Sequence, residues 1–218
     1  MRTYGKDFAY KKTVSYKQRQ ARVATEWDIR LDINDILTPE VIVSNIKEAL
    51  DEFSFVLVSG VERPDKHVSP QGVDYKPIPS GSTENHVHVC VVLFVPRQRF
   101  DVLKLVRGPR KVGDEYAAPR NAKFPYAGWV IHHAKPAFKL DGEPDIRFER
   151  GDLPMDPFTS DWALKIQGVM KKWSSPAMQQ RFKGYMDLLK RNKIQEKIEA
   201  LQMSLQDQDA VASQYNIC

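Results

Sequence analysis

The chain has 218 residues, 42% of them hydrophobic, with 33 Lys+Arg against 28 Asp+Glu. That apolar content suffices for one compact domain with an appendage, and the net charge of +5 suits a polyanionic partner without requiring one. Two cysteines, Cys90 and Cys218, do not support a disulfide framework, and no apolar run is long enough to span a bilayer, so a protein of the cytoplasm or nucleus with no membrane segment is expected.

Residues 1–23 interleave Lys6, Lys11, Lys12, Lys17, Arg19 and Arg22 with Tyr4, Phe8, Tyr10 and Tyr16. They show no clean period and read as a basic arm. Trp27, Ile29, Leu31 and Ile33 then alternate with Asp28, Arg30 and Asp32, the pattern of a half-buried strand. Thr38-Pro39-Glu40 supplies an N-cap and a proline at the first helical position. Ile42, Ile46, Ala49, Leu50 and Phe53 keep helical spacing behind it, which predicts a helix over 39–53. A second strand covers 55–58 and closes at Ser59-Gly60. Residues 63–82 are rich in Pro, Gly and Ser and read as a long connection.

The next run, residues 84–95, is Glu-Asn-His-Val-His-Val-Cys-Val-Val-Leu-Phe-Val. Its valines predict a buried strand over 86–95. Two imidazoles at i and i+2 of a strand share one face, so His86 and His88 project together. A histidine pair is poor core material but good metal-binding material, because neutral imidazole is a common ligand and the strand fixes both rings. Glu62, just past the preceding strand, can join them if the two strands are neighbours. Two imidazoles and a carboxylate leave positions open for water and a substrate oxygen on a divalent ion, Mg²⁺ or Mn²⁺, and would suit zinc as well, a choice the sequence does not make.

Pro96 reads as the start of a second helix with Phe100, Leu103, Leu105 and Val106 on its apolar side. Residues 107–125 are basic, with Arg107, Arg110, Lys111, Arg120 and Lys123 as candidate phosphate contacts. Tyr126 to His133 fits a strand or a short helix equally well. Two apolar stretches, 138–140 and 146–148, flank Asp141-Gly142, a hairpin signal. Residues 158–206 are helical in period, and the basic positions Lys171, Lys172, Arg181, Lys183, Lys190, Arg191, Lys193 and Lys197 give this segment a cationic character. Ile194, Ile198 and Leu201 form a narrow stripe suited to self-association. Residues 207–218 read as a disordered tail. The order of elements predicts an α+β fold, a mainly antiparallel sheet with helices packed on it, followed by a C-terminal helical segment.

His132-His133-Ala134-Lys135 is a second cluster. On a helix, His132 and Lys135 would share a face, where lysine could stabilise charge on a phosphate. The alternative is a solvated helix end, whose C-terminus favours His and Lys.

The strand ending at Ser59-Gly-Val-Glu62, then His86-Val-His88, a basic segment, a lysine near a helix and Phe148-Glu-Arg-Gly151 occur in an order that resembles the HUH endonuclease domain of rolling-circle replication initiators (Rep proteins) of small circular single-stranded DNA viruses and plasmids. The resemblance spans about residues 24–157. It implies Glu62, His86 and His88 as metal ligands, Lys135 as the lysine of the third motif, and a single-stranded DNA or replication-origin partner. It implies nicking and joining through a covalent protein–DNA intermediate. Where the family's third motif has tyrosine, this chain has His132, and the family's first motif has no counterpart in Trp27 to Asn34. Three readings are therefore open: a displaced tyrosine, Tyr126 before Tyr116, is the nucleophile; His132 attacks directly to form a phosphoramidate; or nicking is lost and DNA or RNA binding is kept. No P-loop is present in the sequence.

Overall fold

The computed structural model describes residues 23–64, 84–122, 124–156 and 160–215. Residues 1–22 of the basic arm, most of the 63–82 connection and Lys123 lie outside them. Two compact units are formed, one from residues up to 124 together with 132–154, the other from 125–131 together with 155–218.

The first unit is α+β. Five strands, β1 (Val23–Asp32), β2 (Phe53–Ser59), β3 (His86–Gln98), β4 (Glu115–Pro119) and β5 (Ile146–Gly151), form one sheet in the order β4-β1-β3-β2-β5. Every neighbouring pair is antiparallel. The histidine strand β3 is thus central, with β1 on one side and β2 on the other.

Alternation along the strands divides the sheet into two faces. Trp27, Ile29 and Leu31 of β1, Val56 and Val58 of β2, and Val87, Val89, Val91 and Leu93 of β3 point to one face. There they join Ile42 and Ile46 of α1 (Pro39–Glu48) and Val102, Leu103 and Val106 of α2 (Arg99–Arg107) in one core. Each such side chain removed from water contributes roughly 1.5–3 kcal/mol. The register follows: a slip of one residue would put Val87 and Val89 on the wrong face and bury the histidines in the core. With the register as found, Asp32 lies opposite His86, Arg30 opposite His88 and Asp28 opposite Cys90. The polar residues of β1 and β3 therefore share the second face.

Thr38 caps α1, accepting a hydrogen bond from the Val41 N–H at 3.3 Å, as the sequence predicts. Four expected boundaries move. The first helix stops at Glu48, Leu50–Glu52 is a single 3₁₀ turn, and Phe53 already pairs with Leu93. Pro96 lies inside β3 rather than opening a helix. It sits where the β1–β3 ladder is irregular, between Val92 paired with Glu26 and Arg97 paired with Ala24, so its missing N–H breaks no regular rung. Residues 138–140 are not the first strand of a hairpin. Pro136–Phe138 is a 3₁₀ turn, Lys139 makes an isolated bridge to Glu62, and β5 pairs with β2 instead. Gly142, at φ +82°, makes the turn between them.

Residues 126–133 are a helix, α3 (Tyr126–His133). The second unit continues with α4 (Ser160–Trp173) and α5 (Pro176–Tyr215). Ile166, Met178, Phe182, Met186 and Leu189 are buried in it. The tail expected to be disordered from residue 207 continues as helix to Tyr215. Ile194 and Ile198 are exposed. No helix among the described residues is long and apolar enough to cross a membrane.

Gly60 is the one residue between Ser59 and Val61 at which the chain leaves β2 for Glu62. A Cβ there would stand 1.9 Å from the Pro144 carbonyl oxygen, a backbone atom that cannot swing aside. Gly60→Ala is expected to destabilise the fold by about 1–3 kcal/mol, read as a lower urea midpoint at unchanged slope.

Candidate metal centre

β3 supplies two imidazoles and the chain beyond β2 supplies a carboxylate. Glu62 does not belong to β2 proper, yet its N–H donates to the His86 carbonyl at 2.7 Å and its carbonyl accepts from the His86 N–H at 3.1 Å. This bridge carries the β2–β3 pairing beyond Val58 and sets Glu62 beside His86. Glu62 Oε2 lies 3.7 Å from His86 Nε2 and 3.5 Å from His88 Nε2. The three groups expected to hold a metal do converge, with ligand atoms within 4.8 Å of one another.

Each group is oriented by a second contact. His86 Nδ1 is 3.2 Å from the Glu84 carbonyl oxygen. A carbonyl only accepts, so Nδ1 carries the proton of this contact, which leaves Nε2 as the nitrogen that can face a metal ion. That nitrogen is buried and makes no hydrogen bond. The His88 N–H donates to Ser59 Oγ at 2.9 Å, and Ser59 Oγ donates to the Gly60 carbonyl at 2.8 Å. The other Glu62 oxygen, Oε1, accepts from Lys139 Nζ at 2.6 Å, and Lys139 also donates to the His133 carbonyl at 2.7 Å. Lys139 is buried, so this is a paired charge in a dry setting.

A neighbouring group lies on the same sheet face. His133, the last residue of α3, stacks on His88 with ring centroids 4.3 Å apart. Its Nε2 is 2.9 Å from Asp28 Oδ1. The approach lies off the direction of a hydrogen bond, so neither ring nitrogen of His133 has a hydrogen-bond partner.

The protonation states follow from these surroundings. Burial pushes the Glu62 carboxyl up, but the adjoining His86 and His88 and the Lys139 charge outweigh it and hold it far below the usual carboxylate range. Burial, then His133, push His88 down to about 4 despite Glu62. Burial opposes and His133, followed by His88 and His132, prevail at Asp28, lowering it to about 2. Carboxylates ionised and His88 neutral are the states a metal ion requires of its ligands.

Lys139 was not singled out in the sequence, and His133 appears there only as a member of the second cluster, without a role of its own. Lys139 read as part of a hairpin strand, and His133 as the neighbour of the more prominent His132. His132 is exposed, edge-on to His133 at 5.1 Å. Partial desolvation, then His133 and Lys135, push its pKa down to about 3. His132 and Lys135 do not share a helix face, because α3 ends at His133 and Lys135 follows a bend, its Nζ 4.9 Å from the Phe138 ring centre. Tyr126 opens α3 in the second unit, where its N–H donates to Asp156 Oδ1 at 2.8 Å.

Two expected phosphate contacts are engaged inside the protein instead. Arg107 is buried, its guanidinium bonded to Glu115 and to the Gly108 carbonyl. Arg120 is held by Glu26 at 2.6 Å and by the Phe124 carbonyl at 2.7 Å. Arg110 and Lys111 are exposed.

No family model, curated protein or solved structure matches the chain.

Two outcomes test this description. Replacing Lys139 with Met leaves Glu62 buried beside the histidines without its cation and is expected to destabilise the metal-free protein by about 3–5 kcal/mol. Added Mn²⁺ should recover part of that loss by mass action, visible as a rise in Tm. Acid should also unfold the metal-free protein early. The folded state binds the His88 proton more weakly than the unfolded chain, whose ordinary value is 6.5, so stability is full above about pH 6.5 and falls toward about pH 4. Glu62 and Asp28 add to the loss as pH drops through the unfolded carboxylate range, 4.5 and 3.8. Urea midpoints measured from pH 7 to pH 4 should therefore decline steadily, and His88→Ala should flatten the upper part of that slope.

Proposed function

We propose that this protein is a metal-dependent enzyme that nicks and rejoins single-stranded DNA, of the kind used to initiate rolling-circle replication. The observation that carries this reading is the convergence of Glu62, His86 and His88 on the central strand of an antiparallel sheet, with His86 Nε2 buried and without a hydrogen-bond partner. Glu62, His86 and His88 hold the ion. When bound, a divalent cation polarises a phosphate oxygen and offsets charge that builds up during phosphodiester cleavage. Two imidazole nitrogens and one carboxylate favour Mn²⁺ over Mg²⁺, which prefers an all-oxygen shell.

Charge balance supports a phosphodiester as the partner. Glu62 and Lys139 cancel, histidines that ligate a cation do so as neutral rings and add nothing, and Asp28 contributes one negative charge. A divalent cation leaves the site one charge positive, which a single phosphodiester group neutralises. Exposed Arg110 and Lys111 contact the flanking backbone, so binding weakens steeply with salt.

His132 is the nucleophile in this reading. It is exposed, it adjoins the cluster through His133, and its neutral ring carries a lone pair at neutral pH. An imidazole nitrogen attacks phosphorus, a P–N bond forms as the P–O3′ bond breaks, and the 3′ oxygen leaves with a proton from solvent as a free hydroxyl. Attack by a 3′-hydroxyl on the phosphohistidine reverses the step and joins the strand. The exposed Ile194 and Ile198 of α5 provide a surface for self-association, and the compartment is the cytoplasm or a host nucleus.

Incubation with an origin-like single strand and Mn²⁺ is expected to give a covalent protein–DNA band on a denaturing gel. Mg²⁺ should give less of it, and His86→Ala should reduce it by ~100-fold or more. The adduct should be acid-labile, as a phosphoramidate is, and absent in His132→Ala but present in Tyr126→Phe. An acid-stable band lost in Tyr126→Phe would assign the tyrosine instead. No band with any divalent metal, alongside salt-sensitive DNA binding, would reduce the protein to a non-cutting binding module.

A further inference from the structure

We propose that a second divalent-cation position lies beside the first, formed by Asp28, His88 and His133, with His88 shared between the two. It extends and rests on the metal reading given above, sharing His88 with it and adding Asp28 and His133. The ligand atoms of Asp28, His88 and His133 lie within 4.8 Å of one another, as do those of Glu62, His86 and His88. One histidine belongs to both sets.

The state of His133 is what calls for a ligand. Its side chain is 3% exposed, and both ring nitrogens lack a hydrogen-bond partner. A buried polar group left unsatisfied costs about 1–3 kcal/mol, and an imidazole has two such groups. If His133 served only to fasten the end of α3 to the sheet, an in-line hydrogen bond to Asp28 would be the cheapest arrangement. Nε2 and Asp28 Oδ1 are close enough at 2.9 Å, yet they are not aligned as donor and acceptor. An imidazole nitrogen and a carboxylate oxygen this close, with a second imidazole stacked beside them, are groups that one cation can draw together.

His88 repeats the pattern. Its Nε2 faces Glu62, and its Nδ1 is buried without a partner. A neutral imidazole offers one lone pair, so to serve both sets at once the ring must release its remaining N–H proton to solvent and bridge the two cations as imidazolate, one nitrogen to each. The site also holds the right charge. His133 closes α3, where the carbonyl end of the helix favours a cation. Asp28 adds the second carboxylate, and an N,N,O donor set suits Mn²⁺ or Zn²⁺. Two cations side by side would carry more positive charge than Glu62 and Asp28 offset, and a polyanionic strand would supply the remainder.

The test uses the full chain, stripped of metal and dialysed against Mn²⁺, with bound metal measured per protein. Two ions per chain are expected, with an electron paramagnetic resonance spectrum broadened by coupling between them. Asp28→Asn should weaken one site by ~10-fold or more and restore the hyperfine pattern of an isolated Mn²⁺. His86→Ala should remove the other ion. One ion in the unsubstituted protein, lost in His86→Ala and untouched by Asp28→Asn, would overturn the second position and leave the first. One ion lost in Asp28→Asn but kept in His86→Ala would do the reverse. No bound ion would overturn both. The unsubstituted protein alone decides between one ion and two, so the proposal does not depend on the variants folding.

Discussion

The alternation of β3 is the constraint from which the rest of the structure follows. Val87, Val89 and Val91 must face the helices α1 and α2, because that burial supplies the core of the first unit. Period two then forces His86, His88 and Cys90 to the other face, whatever their chemistry. The antiparallel register of β1 sets Asp28, Arg30 and Asp32 beside them. Hydrophobic burial on one side of the sheet thus assembles the polar cluster on the other, at no cost in extra backbone.

What turns adjacency into a site is the treatment of Glu62. A carboxylate next to two buried imidazoles could collapse into an ion pair with one of them. Lys139 prevents this by taking one oxygen and leaving the second toward the rings. Its other bond, to the His133 carbonyl, ties the end of α3 to the same lysine. One buried cation therefore fixes both the carboxylate and the helix terminus that brings His133 over the sheet. The lysine cation also offsets one of the two carboxylates, Glu62 and Asp28, that the cluster brings together.

Much of this was legible in the sequence, for physical reasons. The β3 valines, the β1 alternation and the Thr38-Pro39 cap are local signals that the fold obeys. The convergence of Glu62, His86 and His88 was legible because strand periodicity fixes side-chain direction and only one strand pairing had to be assumed. Lys139 was not legible. Its role depends on an isolated bridge to Glu62 across 77 residues, and no local pattern marks such a bridge. Arg107 and Arg120 misled because charge in sequence says nothing of burial. Each meets a carboxylate, Glu115 or Glu26, supplied by a neighbouring strand. His132 and His133 could not be told apart until the end of α3 was fixed, since one residue of helical rotation decides which ring faces Asp28 and His88. What the fold adds to the order of short motifs is the sheet on which Glu62, His86 and His88 meet.

The most direct test of the central claim is an anomalous-diffraction map from a crystal of the protein soaked in Mn²⁺. The account expects a peak bonded to Nε2 of His86 and to His88, with Glu62 as the carboxylate ligand and Lys139 still on its other oxygen. A map with no peak at these residues, or with the Glu62 carboxylate turned away from both rings, would contradict it.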